Sequence, residues 1–155
     1  MENVVNPAFW SGKRVFLTGH TGFKGAWLAF WLSEMGADVH GYALAPEEPH
    51  NLFDLLSLHS RLAGSTLADI RDGTQLHAAM QAANPDVLFH LAAQALVPEG
   101  YRQPMETFSV NVLGTAQVLE CARFCKNLAS AAFITSDKCY ENNEWPWGYR
   151  ETDPM

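Results

Sequence analysis

The sequence predicts an α/β fold, a doubly wound parallel sheet whose strands alternate with helices. Three observations predict it. Short apolar runs are separated by segments of helical period, and those runs are continuously apolar, as in strands buried on both faces. A glycine-rich loop then joins the first such run to the first helix.

Residues 15–18 form a compact apolar run, entered from Ser11-Gly12-Lys13, and read as a buried strand. Between Gly22 and Met35, the residues Leu28, Trp31, Leu32 and Met35 recur at helical spacing, and Gly36 stands where the helix should stop. That spacing also places Trp27 and Trp31 in the core. Residues 39–44 are the second strand, broken by Pro46-Glu47-Glu48-Pro49. A shorter helix is expected over 52–62 and a third strand over 66–69. Asp72 with Gln75 three residues on has the form of a capping box, opening a helix to about Ala83. Asn84-Pro85-Asp86 turns the chain into 87–92, the clearest strand. One long helix is expected from near Pro104 to about Lys126, with Phe108, Val112, Leu119 and Ala122 on one stripe, and a fifth strand over 131–135. No repeat or linker divides residues 1–155, which read as one nucleotide-binding domain.

Composition narrows the function. Hydrophobic residues make up 48% of the 155 and charged residues 17%, a globular balance. A net charge of −7 argues against bulk nucleic-acid or anionic-membrane binding, while allowing a phosphate ligand at one local site. No apolar run reaches the ~18 residues of a membrane span, and the first residues have no basic n-region. Cys121, Cys125 and Cys139 make no disulfide framework, so a reducing cytoplasm is the expected home. The six histidines lack metal-ligand spacing, and no metal is expected.

The first strand runs into Thr18-Gly19-His20-Thr21-Gly22-Phe23-Lys24-Gly25. In such a loop Gly19 permits the tight turn, Gly22 lets backbone approach a pyrophosphate, and Gly25 lets the helix pack near the sheet. The helix N-terminus then offers unpaired N–H groups to the phosphates, and Lys24 adds a positive charge. Strand, loop and helix together indicate a dinucleotide site in a Rossmann-type sheet. The second strand ends in Gly41-Tyr42-Ala43-Leu44, without the carboxylate that would bond an adenosine ribose and without an arginine for a 2′-phosphate. Asp69-Ile70, after the third strand, is available near the adenine.

Strand ends on the carboxyl side line the ligand crevice of this architecture. Leu91-Ala92-Ala93-Gln94 ends the fourth strand with small residues that leave room for a ribose. Asn111 is a poor helix former in mid-helix, which implies a contact beneath the site, and Gly114 permits close packing. The fifth strand ends in Thr135-Ser136-Asp137-Lys138-Cys139-Tyr140, a cluster of hydroxyl, carboxylate, amine and phenol at the crevice mouth.

Together the glycine loop, Leu91 to Gln94, Asn111-Val112-Leu113-Gly114-Thr115 and Thr135 to Tyr140 resemble the extended short-chain dehydrogenase/reductase superfamily. Within it the chain is most similar to the CDP-glucose 4,6-dehydratases, which share the Gly-Tyr-Ala-Leu end and a run like Trp147 to Met155. The resemblance implies NAD as cofactor, CDP-glucose as substrate, homo-oligomers at full length and a setting in bacterial O-antigen sugar synthesis. It implies an internal redox cycle in which Lys138 is the base at C5, Asp137 protonates the departing C6 hydroxyl and Ser136 bonds the C4 oxygen. Gly19 to Gly25, Asp69, Ile70, Leu91 to Gln94, Asn111 and Thr135 are the implied cofactor-binding positions. Another epimerase or reductase of the superfamily, or a non-catalytic NAD-binding fragment, are the alternatives.

Two departures stand out. The superfamily uses a Tyr-x-x-x-Lys pair for C4 oxidation, but Tyr42, Tyr101, Tyr140 and Tyr149 are followed four residues later by Pro46, Met105, Glu144 and Asp153. In the family that pair follows the Asp-Pro-Met segment, so the chain reads as the N-terminal portion, lacking the base and the sugar-binding lobe. The second departure is Pro98 after Val97, where the family usually has arginine.

Overall fold

The computed structural model describes residues 5–46 and 50–155, without the side chain of Asp137; Glu47, Glu48 and Pro49 of the second-strand loop lie outside the described residues. Five parallel strands form one sheet: β1 (Arg14–Thr18), β2 (Asp38–Ala43), β3 (Gly64–Leu67), β4 (Val87–His90) and β5 (Ser130–Phe133). Their spatial order is β3-β2-β1-β4-β5. The chain winds outward from β1 through β2 to β3, then returns to place β4 on the other side of β1. The crevice between β1 and β4 is therefore the topological switch point, where such sheets bind ligands.

Short helix α1 (Pro7–Trp10) precedes β1, α2 (Phe23–Glu34) follows it, and α3 (Leu52–Leu55) and α4 (Leu58–Arg61) follow β2. Alternation along β1 divides the core. Val15 and Leu17 pack with Ala26, Ala29, Leu32, Phe53 and Leu58 on one face, while Phe16 packs with Tyr42, Leu76, Met80 and Val118 on the other. The second layer is α5 (Gly73–Ala83) and α8 (Thr115–Ala122), reached through α6 (Val97–Arg102), α7 (Pro104–Phe108) and a π-helical turn, Ser109–Gly114. Both faces of the sheet are covered, as the apolar strands require.

Local signals set several boundaries. Asp72 Oδ1 accepts the N–H of Gln75 at 2.9 Å, a cap worth ~1 kcal/mol, and α5 ends at Asn84, which takes the left-handed φ of 43°. Gly36, at φ +82°, reverses the chain after α2.

Other expectations need correction. Trp27 and Trp31 are not core residues: they are 48% and 52% exposed, while α2 buries Gly25, Ala26, Ala29 and Leu32. Both sides of α2 are apolar, and the helix that follows a glycine loop must approach the sheet closely, so the small residues win the buried face. The helix expected over 52–62 is two short ones, split at Ser57 with φ 51°. The long helix expected from Pro104 to Lys126 ends at Ala122 and is interrupted by the π turn. A π turn spends an extra residue and rotates the face beyond it. Phe108 just before it, Val112 within it and Leu119 beyond it are at least half exposed, and Gly114, Val118 and Cys121 point inward. Strands β2 to β5 each end one or two residues before the expected position, the sequence pattern running on past the ladder into the crevice loops.

Candidate functional site

The glycine loop leaves β1 through Gly19, whose φ of +77° and whose backbone contact with the β4 loop both exclude a side chain; a Cβ there would stand 2.8 Å from the Ala92 nitrogen. Gly22 caps α2 without a side-chain hydrogen bond, so the helix dipole and first-turn N–H groups have no side-chain competitor for an anion. Gly25 is packed under this turn, where a Cβ would collide with the Gly19 carbonyl. Thr21 Oγ1 donates to the Leu44 carbonyl at 2.9 Å, tying the loop to the end of β2.

Two adjoining clefts follow the carboxyl ends of the strands. The first, about 430 Å³, brings together Gly19, Thr21, Gly22, Asp69, Ile70, Leu91, Ala92 and Ala93. The second, about 620 Å³, shares Ala92 and Ala93 and adds Lys24, Gln94, Asn111, Thr135 and Ser136. Lys24 thus faces the second cleft rather than the glycine-loop side of the first. Three expected residues lie elsewhere. His20 is fully buried, its ring against Gly41 and its Nε2 2.7 Å from Ser65 Oγ, and burial pulls its pKa down to about 4. Phe23 is exposed on the outer surface, and Gly25 serves packing. Ser136 Oγ accepts the N–H of Lys138 at 3.1 Å, opening a single 3₁₀ turn, Asp137–Cys139, on which Lys138 is exposed.

Asp69 is committed to a partner. Its carboxylate accepts the backbone N–H of Arg71 at 2.8 Å and the guanidinium at 2.9 and 2.6 Å, which holds its pKa below the usual carboxylate range. Arg71 reaches on to Glu106 at 2.8 Å, so the third-strand loop is bridged to α7 across the first cleft. Tyr42 donates its buried phenol to the Asp69 carbonyl at 3.0 Å, and burial raises its pKa to about 12. Asn111 clamps the β4 loop: Oδ1 accepts the N–H of Gln94 at 2.8 Å and Nδ2 donates to the Gln94 carbonyl at 2.9 Å. Its poor helix propensity implied a contact beneath the site, and the Gln94 backbone is that contact.

Sequence reasoning overlooked Arg71, Glu106 and His90 as parts of this region, and placed Thr18 and Thr115 there only within motifs, without a role of their own. Thr18 and His90 carried a usable signal, since each is a polar residue closing an apolar strand. Among the described residues no cluster of three or more His, Cys, Asp or Glu could hold a metal ion, and no helix is long and apolar enough to cross a membrane.

A family model described as GDP-mannose 4,6 dehydratase matches residues 16–155. The chain belongs to that family. It is 52% identical over 153 residues to a CDP-glucose 4,6-dehydratase from Salmonella typhimurium, a match covering 98% of this chain and 42% of the relative. It is 34% identical over 148 residues to a GDP-mannose 4,6-dehydratase from Sordaria araneosa, covering 92% and 26% respectively. The chain therefore spans less than half the length of these curated relatives. Among solved structures, a UDP-glucose 4-epimerase from Stenotrophomonas maltophila with bound NAD superposes with a TM-score of 0.78 at 24% identity, over 92% of this chain and 42% of that one. A UDP-glucose 4-epimerase from Brucella ovis in complex with NAD gives 0.70 at 26% identity, over 83% and 37%. The α/β Rossmann-like fold is shared with these nucleotide-sugar enzymes.

Proposed function

We propose that this chain is the NAD-binding part of a CDP-glucose 4,6-dehydratase, which converts CDP-glucose to CDP-4-keto-6-deoxyglucose. The observation that carries this reading is the continuous wall running from the glycine loop through Leu91–Ala93 to Thr135 and Ser136. The 52% likeness to a CDP-glucose 4,6-dehydratase supplies the substrate.

The residues fit a dinucleotide. The uncapped start of α2 suits a pyrophosphate, and the first cleft offers apolar Ile70, Ala43 and Leu44 to an adenine. Among the described residues its charged side chains are Asp69, Arg71 and Glu106, a net negative set that disfavours a 2′-phosphate and so favours NAD over NADP. Bound NAD supplies a reversible hydride acceptor. Lys138 takes the proton from C5 of a 4-keto sugar, Asp137 protonates the hydroxyl leaving C6, and Ser136 holds the C4 oxygen. Elimination of water leaves a C5–C6 double bond; the hydride taken from C4 would return from the bound cofactor to C6 and Lys138 would return the proton to C5, giving the 4-keto-6-deoxy sugar with no net oxidation. Lys138 serves as a base only where its surroundings depress its pKa, which a closed, occupied site would do. The reading includes a homo-oligomeric, cytoplasmic enzyme, and assigns C4 oxidation to a Tyr-x-x-x-Lys pair that these 155 residues do not contain.

Titration with NAD, followed calorimetrically, should show binding to the 155-residue chain, and incubation with CDP-glucose should yield no keto sugar. In the complete enzyme, Lys138→Ala should retain NAD binding and lose dehydration by at least about a hundredfold, the scale of general-base catalysis. Dehydration at the unsubstituted rate would remove Lys138 from the base role.

A further inference from the structure

The hydrogen bonds at the ends of β1 and β4 can be assigned proton by proton. Thr115 Oγ1 donates its single proton to the Asn111 carbonyl at 2.6 Å, so toward His90 Nε2, 3.0 Å away, it can only accept. Nε2 therefore carries the ring proton, and in the neutral ring Nδ1 is an acceptor. Thr18 Oγ1, 2.7 Å from Nδ1, must donate to it. That leaves the Thr18 lone pairs for the N–H groups of Leu91 and Ala92, each at 3.1 Å. Every proton in this relay has an acceptor. The ring is only 3% exposed, and burial lowers its pKa from the ordinary histidine value, which keeps it neutral.

The relay has a mechanical consequence. Leu91 and Ala92 lie directly on Gly19, with no room for a Cβ between the two backbones. One end of the β4 loop is thus fixed by Thr18 and His90, and the other by the grip of Asn111 on Gln94. Thr115 joins the two, because its hydroxyl links His90 to the Asn111 carbonyl.

We propose that His90, held as the neutral Nε2–H tautomer, is a positioning residue for the dinucleotide: it locks the Leu91–Ala92 backbone against Gly19 and sets the spacing between the two walls that meet the cofactor. The role rests on the NAD reading above. A histidine that merely fills the core would affect stability and leave affinity alone.

The tautomer is testable without any ligand. Ring ¹⁵N spectra of the labelled chain at neutral pH should show His90 protonated at Nε2 alone; an Nδ1–H tautomer or an imidazolium would overturn the assignment. Thr115→Val keeps the shape and removes the acceptor, stranding a buried donor, and should weaken NAD binding about tenfold. Thr115→Ser keeps the hydroxyl and should restore affinity to within about twofold of the parent. A Thr115→Val chain that loses thermal stability but binds NAD as tightly as the parent would reduce the relay to a structural one. If that variant does not fold, the parent spectrum and the serine variant decide. A parent chain that binds no NAD would overturn the cofactor reading itself, and the positioning role with it.

Discussion

At the scale of single residues, buried histidines link this fold to pH. His20 is fully enclosed beneath the glycine loop, and its pKa falls to about 4 against an ordinary 6.5. His40 and His90 are shifted in the same direction, in each case chiefly by burial. The unfolded chain therefore binds more protons than the folded one between those limits, so stability falls as pH drops from about 6.5 toward 4. For His20 alone the loss over that window is about 3 kcal/mol, at roughly 1.4 kcal/mol per pH unit. Urea unfolding measured from pH 7 down to about 4.5 should show this decline. His20→Gln, which keeps a hydrogen-bonding group for Ser65 but cannot titrate, should flatten the slope; an equally steep profile would place the pH dependence elsewhere.

At the scale of elements, the π turn joins the site to the core. Gly114 closes it, and a Cβ there would lie 2.7 Å from Cγ2 of Ile70, a residue that lines the first cleft. The β-branched methyl has no free rotamer to escape into, so the third-strand loop must move. Gly114→Ala should cost roughly 1–3 kcal/mol of stability, outweighing the gain of about 1 kcal/mol in helix propensity, and should weaken NAD binding as Ile70 shifts. Ile70 is itself buried, so Ile70→Ala also destabilises, but the double variant should lose clearly less than the sum of the two single losses; additive losses would show that the two do not compete for space. The π turn itself was not legible in the sequence. Residues 104–126 read as one helix because every local preference is helical, and the extra residue reflects tertiary fit between Gly114 and Ile70. The strands, the glycine loop and the caps at Asp72 and Gly36 were legible, since each depends on neighbours in sequence. The Arg71–Glu106 bridge and the Thr18–His90–Thr115 relay were not. Their partners lie 25 to 72 residues apart in sequence, 35 for Arg71 and Glu106, beyond the reach of local pattern.

At the scale of the whole molecule, apolar surface is unevenly distributed. Phe23, Trp27 and Trp31 form an exposed stripe along α2 on one side of the sheet. On the other side Tyr101, Met105, Phe108, Leu113 and Leu119 are exposed on α6, α7, the π turn and α8. Exposed large apolar side chains in such number mark association surfaces on soluble proteins. The net charge of −7 opposes association through long-range repulsion, but salt screens that repulsion within a Debye length of about 8 Å at physiological strength. Self-association of the chain should therefore strengthen with added salt, the reverse of what an ion-paired interface would do. Sedimentation velocity across a concentration and salt series checks both the extent and the sign. Phe108→Glu with Leu113→Glu should shift the population toward monomer with little change in thermal stability, because both side chains already face solvent. The same pair leaving association unchanged, with Trp27→Glu dispersing it, would move the contact surface to α2.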